Sequence, residues 1–271
     1  MPTRPRRSNQ RDKQLQEYYS LVELIAQRRE KRESELRFNR VFLTASDIAQ
    51  QYFCEKKVEM QHRLGKVETE AKALGTEAHE KLIEDTTKID REALWHKIYG
   101  KTPILAFEMP LLARHRDIII AGIPDCVLFE QGLPKVVFEY KFTKSRKPFA
   151  DHHVQARTYG ILLRNMGFDT NNLFYAIVMA DPQAKDDKAL KQGVIEAVVG
   201  KGLEEGILDV ENAGIHVNRF DHLEGENNLD WAIDFWTNKR EPIPTGNPNK
   251  CKSCEYRPRC EASLNRLGSL P

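Results

Sequence analysis

The chain has 271 residues, of which 40% are hydrophobic and 30% charged, and its formal net charge is +2. No apolar run approaches the roughly 20 residues of a membrane span, and no apolar segment follows the basic start, so we expect neither a membrane protein nor a secretory signal. The expected location is therefore cytoplasmic. Thiols stay reduced in that compartment, which argues against reading the five cysteines as disulfides.

The first forty residues are more basic than the rest. Residues 1–40 have a charge balance of +5, against −3 for the remainder. Residues 1–13 are expected to be disordered, and residues 14–37 have the apolar spacing of a long amphipathic helix. This basic N-terminal arm, 1–40, could lie on a polyanion or be an ordinary solvated helix, and composition leaves both open.

The next part of the chain is predicted to be helical and then rich in strands. Thr44-Ala-Ser46-Asp47 predicts a helix N-cap before a short helix over Ile48–Met60, and residues 69–85 have a second helical stripe. The β-rich runs that follow are Ile104–Leu112, Asp117–Ala121, Cys126–Phe129 and Lys135–Phe142, with a tight turn predicted at Gly132–Pro134.

The pattern beyond these strands weakens along the chain. Residues 149–166 predict a helix and Leu173–Met179 a buried strand. Asp181–Lys191 is expected to be a polar loop. A further strand over Val194–Val199 and a helix over 228–238 complete the predicted elements.

Two carboxylates and a lysine occur at the predicted hairpin. Pro124-Asp125 precedes one strand, and Glu139-Tyr140-Lys141 lies in the next, where side chains two apart share a face. Carboxylate oxygens suit Mg²⁺ or Mn²⁺, which polarises a phosphodiester and lowers the pKa of a bound water. Alone the pattern is weak, because Glu139 could simply pair with Lys141 on a solvated face.

The neighbouring residues favour the catalytic interpretation. Glu139 interrupts an apolar strand, and a buried carboxylate needs a partner or a metal. His79, in the second predicted helix, could be a further ligand. Gln155 and Tyr159 are four apart on one predicted helix face and could hold a phosphate or a base. The basic run 144–147 could grip phosphates or be an ordinary exposed loop.

The order His79, Gly122-x-x-Asp125, Glu139-x-Lys141 and Gln155-x3-Tyr159 resembles the RecB-like branch of the PD-(D/E)XK nucleases. The resemblance implies that His79, Asp125, Glu139 and the backbone carbonyl of Tyr140 hold the metal ion. It makes Lys141 the catalytic lysine, with Gln155 and Tyr159 contacting DNA or positioning the site.

Cysteines near both ends of the chain suggest a second metal centre. Cys251-x2-Cys254-x5-Cys260 lies in the tail and Cys54 almost 200 residues upstream, a set that suits either tetrahedral Zn²⁺ or a 4Fe–4S cluster. This layout resembles the iron–sulfur staple of RecB-like nucleases, which implies that these four cysteines bind a 4Fe–4S cluster. Cys126 is expected to be a core residue.

The resemblance is closest to the CRISPR-associated iron–sulfur exonucleases. It implies an α/β, restriction-endonuclease-like core over 41–264, a mixed sheet flanked by helices with the cluster joining its N- and C-terminal parts, and a tail over 265–271. It also implies cleavage of DNA, preferably single-stranded, by an exonuclease in CRISPR spacer processing, with spacer-integration proteins as candidate partners. The sequence does not fix the oligomeric state, and a homo-oligomer stays open.

Three other interpretations remain. The chain could be a stand-alone DNA-repair exonuclease of the same class. It could be a catalytically silent iron–sulfur subunit that binds DNA or acts as a scaffold. It could also be a zinc-stapled binding module without hydrolytic activity. Colour distinguishes the last, because a 4Fe–4S protein is brown and a zinc protein colourless.

Overall fold

A computed structural model describes residues 7–65, 91–185, 187–200 and 202–264. The helix predicted over 69–85, and with it His79, lies outside the described residues. So does the predicted tail, 265–271. Among the helices of the described residues, none combines the length and the hydropathy that a membrane span requires.

The basic N-terminal segment forms a long helix that packs into the protein. Helix α1 spans Arg7–Lys31, so the expected disorder is wrong for residues 7–13. Its buried face contributes to the main hydrophobic core through Leu15, Tyr18, Leu21 and Ile25. The segment is thus part of the packed fold, and the proposed boundary at residue 40 stays a prediction.

Two short helices follow a predicted cap. Strand β1 is Leu43–Thr44, helix α2 is Ala45–Phe53 and helix α3 is Glu55–Leu64. Asp47 donates its backbone N–H to Thr44 Oγ1 at 3.1 Å, and the Asp47 carboxylate accepts the Thr44 N–H at 2.9 Å, which confirms the N-cap. The predicted single helix is wrong, because extended backbone at Cys54 (φ −175°, ψ 120°) divides it.

The β-rich region contains more strands than the sequence predicted. After helix α4, Arg91–Ile98, the hydrogen-bonding pattern defines five separate strands, each bounded by a turn or bend. These are β2 Ile104–Phe107, β3 Leu111–His115, β4 Ile118–Gly122, β5 Cys126–Glu130 and β6 Leu133–Phe142.

The strands of the described residues form two mixed sheets. A small sheet has the order β1-β4-β3. The larger sheet has six strands in the order β2-β5-β6-β7-β9-β8, where β7 is Phe174–Ala180, β8 is Gly206–Val210 and β9 is Ala213–Arg219. Strands β6 and β7 are parallel, whereas the other neighbours in this sheet are antiparallel.

The hairpin between β5 and β6 sets the register of the central strands. Gln131 and Gly132 both have positive φ, at 52° and 85°, the geometry of a two-residue turn. Leu133 already pairs with Glu130, so the turn lies one residue before the predicted position. This register pairs Cys126 with Phe138 and therefore brings Asp125 beside Glu139.

Helices cover both faces of the larger sheet. Helix α5, Ala150–Asn165, and helix α7, His222–Trp236, pack with α2 on one face. Helix α6, Lys188–Gly200, packs on the other and buries Leu190, Val194 and Val198. The predicted strand over 194–199 is therefore wrong. A short helix α8, Pro248–Lys252, begins the cysteine-rich tail.

Candidate active site

Asp125, Glu139 and Lys141 lie together on the face of the sheet that α5 covers. Val137 faces the core under α5 and Phe138 the core under α6, so the alternation of β6 turns Glu139 and Lys141 toward α5. The Tyr140 N–H donates to Asp125 Oδ2 at 2.7 Å, which ties the aspartate to the middle of β6. Glu139 is only 5% exposed, and Lys141 Nζ donates to its Oε1 at 2.7 Å.

The helix residues Gln155 and Tyr159 continue this network. Lys141 Nζ donates to Gln155 Oε1 at 2.8 Å, and Gln155 Nε2 donates to the Tyr159 hydroxyl at 2.8 Å. That hydroxyl lies 3.3 Å from the carbonyl oxygen of Ile123 and can donate to it. The lysine ammonium is therefore held between a strand carboxylate and a helix amide, which fixes its position.

Gly122 permits the close approach of α5 to the site. A Cβ atom there would lie 2.7 Å from Tyr159 Cε1 and 2.8 Å from Tyr159 Cδ1, well inside van der Waals contact. A side chain would push away the helix that carries Gln155. This explains physically why glycine stands three residues before Asp125.

Burial and charge make the pair of carboxylates unfavourable without a cation. Burial, together with the negative charge of Glu139, raises the pKa of Asp125 to about 7. Burial opposes the charged form of Lys141, but the Glu139 carboxylate outweighs it and raises the pKa of the ammonium, so Lys141 stays protonated. One lysine thus faces two acidic groups, an arrangement that a bound cation would relieve.

The donor set fits a hard divalent ion. Asp125 and Glu139 contribute carboxylate oxygens, the preferred ligands of Mg²⁺ and Mn²⁺. His79 lies outside the described residues. Among those that are described, no three His, Cys, Asp or Glu side chains are placed to hold one metal ion. The described residues thus supply two side-chain ligands of the set implied by the sequence.

Cys54, Cys251, Cys254 and Cys260 line one small pocket between α3 and the tail. All four are free and partly exposed, whereas Cys126 is buried elsewhere in the core. Burial raises the pKa of Cys260, and the nearby thiols of Cys54, Cys254 and Cys251 raise it further. The structure therefore brings the four predicted cysteines together, without placing three of them around a single ion.

A buried ion pair beside this pocket was not found from the sequence. Glu55 is 0% exposed, and it accepts hydrogen bonds from Arg240 Nη2 at 2.6 Å and from the Ile243 N–H at 2.8 Å. Gln51 Nε2 also donates to Glu55, at 2.9 Å. The only hint in the sequence was that an acidic residue directly follows Cys54. The pair fixes the chain leading into the cysteine-rich tail.

Comparison with known proteins assigns the family. The sequence model of the PD-(D/E)XK nuclease superfamily matches residues 6–261. The chain therefore belongs to this superfamily, and a nuclease that uses divalent metal ions and acts on DNA is the function typical of it. Among curated proteins no match was found.

The chain is also similar to the crystal structure of SSO0001. The sequence identity is 14%, the alignment covers 95% of this chain and 96% of that chain, and the TM-score is 0.43.

Proposed function

We propose that this protein hydrolyses phosphodiester bonds in DNA at the site formed by Asp125, Glu139 and Lys141. Asp125, Glu139, His79 and the backbone carbonyl of Tyr140 would hold Mg²⁺ or Mn²⁺, which when bound polarises the phosphodiester and acidifies a water. The Lys141 ammonium orients the attacking water or neutralises charge that develops on the phosphate. Gln155 and Tyr159 keep that ammonium in position.

The observation that carries this proposal is the contact between the two halves of the motif. Asp125 and Glu139 are fourteen residues apart in sequence, yet Asp125 accepts the N–H of the residue next to Glu139 at 2.7 Å. A solvated Glu–Lys pair on a strand surface would need neither the aspartate nor burial. Here Glu139 is buried, and Lys141 has a second partner on a different element.

The test is cleavage of end-labelled single-stranded DNA with and without Mn²⁺. We expect Glu139→Ala and Lys141→Ala to lower the rate by at least about 100-fold, the scale of losing an aligned charge or proton donor. Lys135→Ala is the matched control, because Lys135 lies on the same strand, partly exposed, and its nearest acidic partner is 4.0 Å away. Full activity in both site variants would contradict the proposal.

We also propose that Cys54, Cys251, Cys254 and Cys260 hold a 4Fe–4S cluster. Four thiols around one pocket are a suitable donor set. A cluster distributes its thiolates over several iron atoms, whereas a tetrahedral Zn²⁺ needs all of them at about 2.3 Å from one ion. One cysteine lies far upstream of the other three, whereas zinc ribbons usually have two short cysteine pairs, and this layout supports the cluster over zinc.

The more detailed biological role is likewise a proposal. The motif order supports a single-strand exonuclease of the CRISPR-associated type that processes spacers beside integration proteins. A stand-alone repair exonuclease has the same residues and is the second candidate. A silent DNA-binding subunit would not need the Lys141–Gln155 contact, and the cleavage assay distinguishes it.

A further inference from the structure

The loop that follows the catalytic strand presents an exposed aromatic ring. Phe149 is 55% exposed, whereas six of the twelve phenylalanines, all of which are described, are buried. It lies immediately before α5, the helix that carries Gln155 and Tyr159. Six residues separate Phe149 from Gln155, which corresponds to roughly 9 Å along a helix axis. The ring therefore lies at the N-terminus of α5, fewer than two helical turns before Gln155, and is open to solvent.

The backbone of Phe149 and one face of its surroundings are ordered by His152 of the following helix. The Phe149 N–H donates to His152 Nδ1 at 3.3 Å, and the Phe149 carbonyl accepts the His152 N–H at 3.1 Å. The two rings contact edge to face, with centroids 5.5 Å apart. His152 in turn interacts electrostatically with Lys141. An aromatic ring held in this way loses little entropy when it receives a ligand.

Three exposed cations lie in the same loop as the ring. Lys144, Arg146 and Lys147 are exposed, and none of the three forms an ion pair within the described part of the chain. The loop itself is ordered by hydrogen bonds: Ser145 Oγ donates to the Lys147 carbonyl at 2.8 Å, and His216 Nε2 donates to the Arg146 carbonyl at 2.9 Å. Cations on a well-ordered loop suit a phosphate backbone.

We infer that the 143–149 loop docks single-stranded DNA, with one unpaired base stacked on Phe149 and the backbone held by Lys144, Arg146 and Lys147. The inference rests on the proposed nuclease function and names the surface that holds its substrate. A base within a duplex is already stacked and paired, so an exposed phenyl ring adds little to the binding of double-stranded DNA. Stacking on an aromatic ring also tolerates every base, as a nuclease without sequence preference requires.

The experiment measures binding apart from cleavage. Fluorescence anisotropy is recorded in EDTA, in a Glu139→Gln background, with oligothymidylate, a duplex of equal length, and a strand of abasic residues. Phe149→Ala should weaken binding of oligothymidylate by about 5- to 140-fold, the range for loss of one base–aromatic stack. It should leave duplex and abasic affinities unchanged. Phe149→Tyr should retain the wild-type affinity, and Tyr19→Ala, at a 44% exposed aromatic on α1, is the matched control.

Neutralising the three cations should have a different signature. The triple alanine variant at Lys144, Arg146 and Lys147 should weaken binding of thymidylate and abasic strands alike. It should also reduce the slope of log affinity against log salt by about 2, as expected for three contacts to a single strand.

Two results would overturn the inference. One is an unchanged thymidylate affinity in Phe149→Ala with an unchanged melting temperature. The other is a greater dependence on Phe149 for oligouridylate than for oligothymidylate, which would assign the loop to RNA. Failure of the nuclease proposal gives a different pattern: Phe149-dependent binding would persist, but the wild type would not cleave DNA in Mn²⁺.

Discussion

Glu139 is only 5% exposed, and a carboxylate that has lost its water needs a hydrogen-bonding or charged partner in its place. Lys141 is one such partner, but Asp125 adds a second acidic group on the same face. The sequence could predict this grouping, because a hairpin brings paired residues together and alternation gives each side chain its face. It could not predict the Lys141–Gln155–Tyr159 chain of hydrogen bonds, which depends on how α5 packs on the sheet.

The raised pKa of Asp125 makes stability depend on pH when no metal is bound. The folded state holds a proton up to a pKa of about 7, whereas the unfolded chain releases it near pH 4. The free energy of unfolding therefore declines as pH rises between these values. Asp125→Asn removes this titration and should be more stable than the wild type at pH 8, by on the order of 1–3 kcal/mol after allowance for solvent screening, but not at pH 4.

Urea unfolding in EDTA at pH 4, 6 and 8 measures the difference. Addition of Mn²⁺ at pH 8 should stabilise the wild type and leave Asp125→Asn nearly unchanged, because the ion binds the ionised carboxylate in the folded state. If the free energy of unfolding of the two proteins depended on pH in the same way in EDTA, the pKa of Asp125 would not be raised by folding. That result would contradict this electrostatic explanation.

At the level of elements, the strand and helix that form the site depend on one small residue. Gly122 ends β4, and its missing side chain lets the Tyr159 ring of α5 contact the backbone. We expect Gly122→Ala to lower stability by about 1–3 kcal/mol, the usual effect of overpacking a core. Cleavage should fall further than stability explains, because displacement of α5 also moves Gln155 away from Lys141.

A matched glycine separates this effect from general backbone changes. Gly193 lies within α6, and a Cβ atom there would have nothing within 4 Å. Gly193→Ala should therefore be neutral or stabilise the helix by up to about 1 kcal/mol. Equal stability and equal activity for Gly122→Ala and Gly193→Ala would mean that the contact with Tyr159 does not position the helix.

The elements that the sequence did not predict have identifiable physical reasons. Val194 and Val198 are β-branched and favour a strand locally, yet with Leu190 they recur every four residues and form the buried stripe of α6. Strand β8, which pairs with β9, escaped prediction because it is an edge strand whose side chains are exposed or only partly buried. Their turn contains Asn212 with φ 64°, a residue tolerant of that conformation, which was the available signal.

Across the whole molecule, the tail is tied to the N-terminal helices at several points. Lys250 Nζ donates to the Tyr52 carbonyl at 2.8 Å, and the Tyr256 hydroxyl donates to the Gly65 carbonyl at 2.8 Å. Thr245 N–H donates to Cys54 Sγ at 3.4 Å. The resemblance to RecB-like nucleases implied that Cys54 joins the tail cysteines, but the sequence could not predict these surrounding contacts, which only the folded chain brings together.

The proposed cluster would strengthen these contacts between the tail and the N-terminal helices. Removing one of its ligands tests whether the cluster is present. Cys251→Ser, purified without air, should lose the brown colour and most of its iron, and its melting temperature should fall because metal binding contributes to folding. Cys126→Ala is the matched control: it removes the fifth cysteine, which is 2% exposed and does not line the pocket, and the variant should keep its iron. Iron analysis, visible absorption and thermal melts measure the outcome. Unchanged iron content and melting temperature in Cys251→Ser would exclude that thiol as a ligand. A colourless wild-type protein that contains zinc would show that the four cysteines form a zinc site.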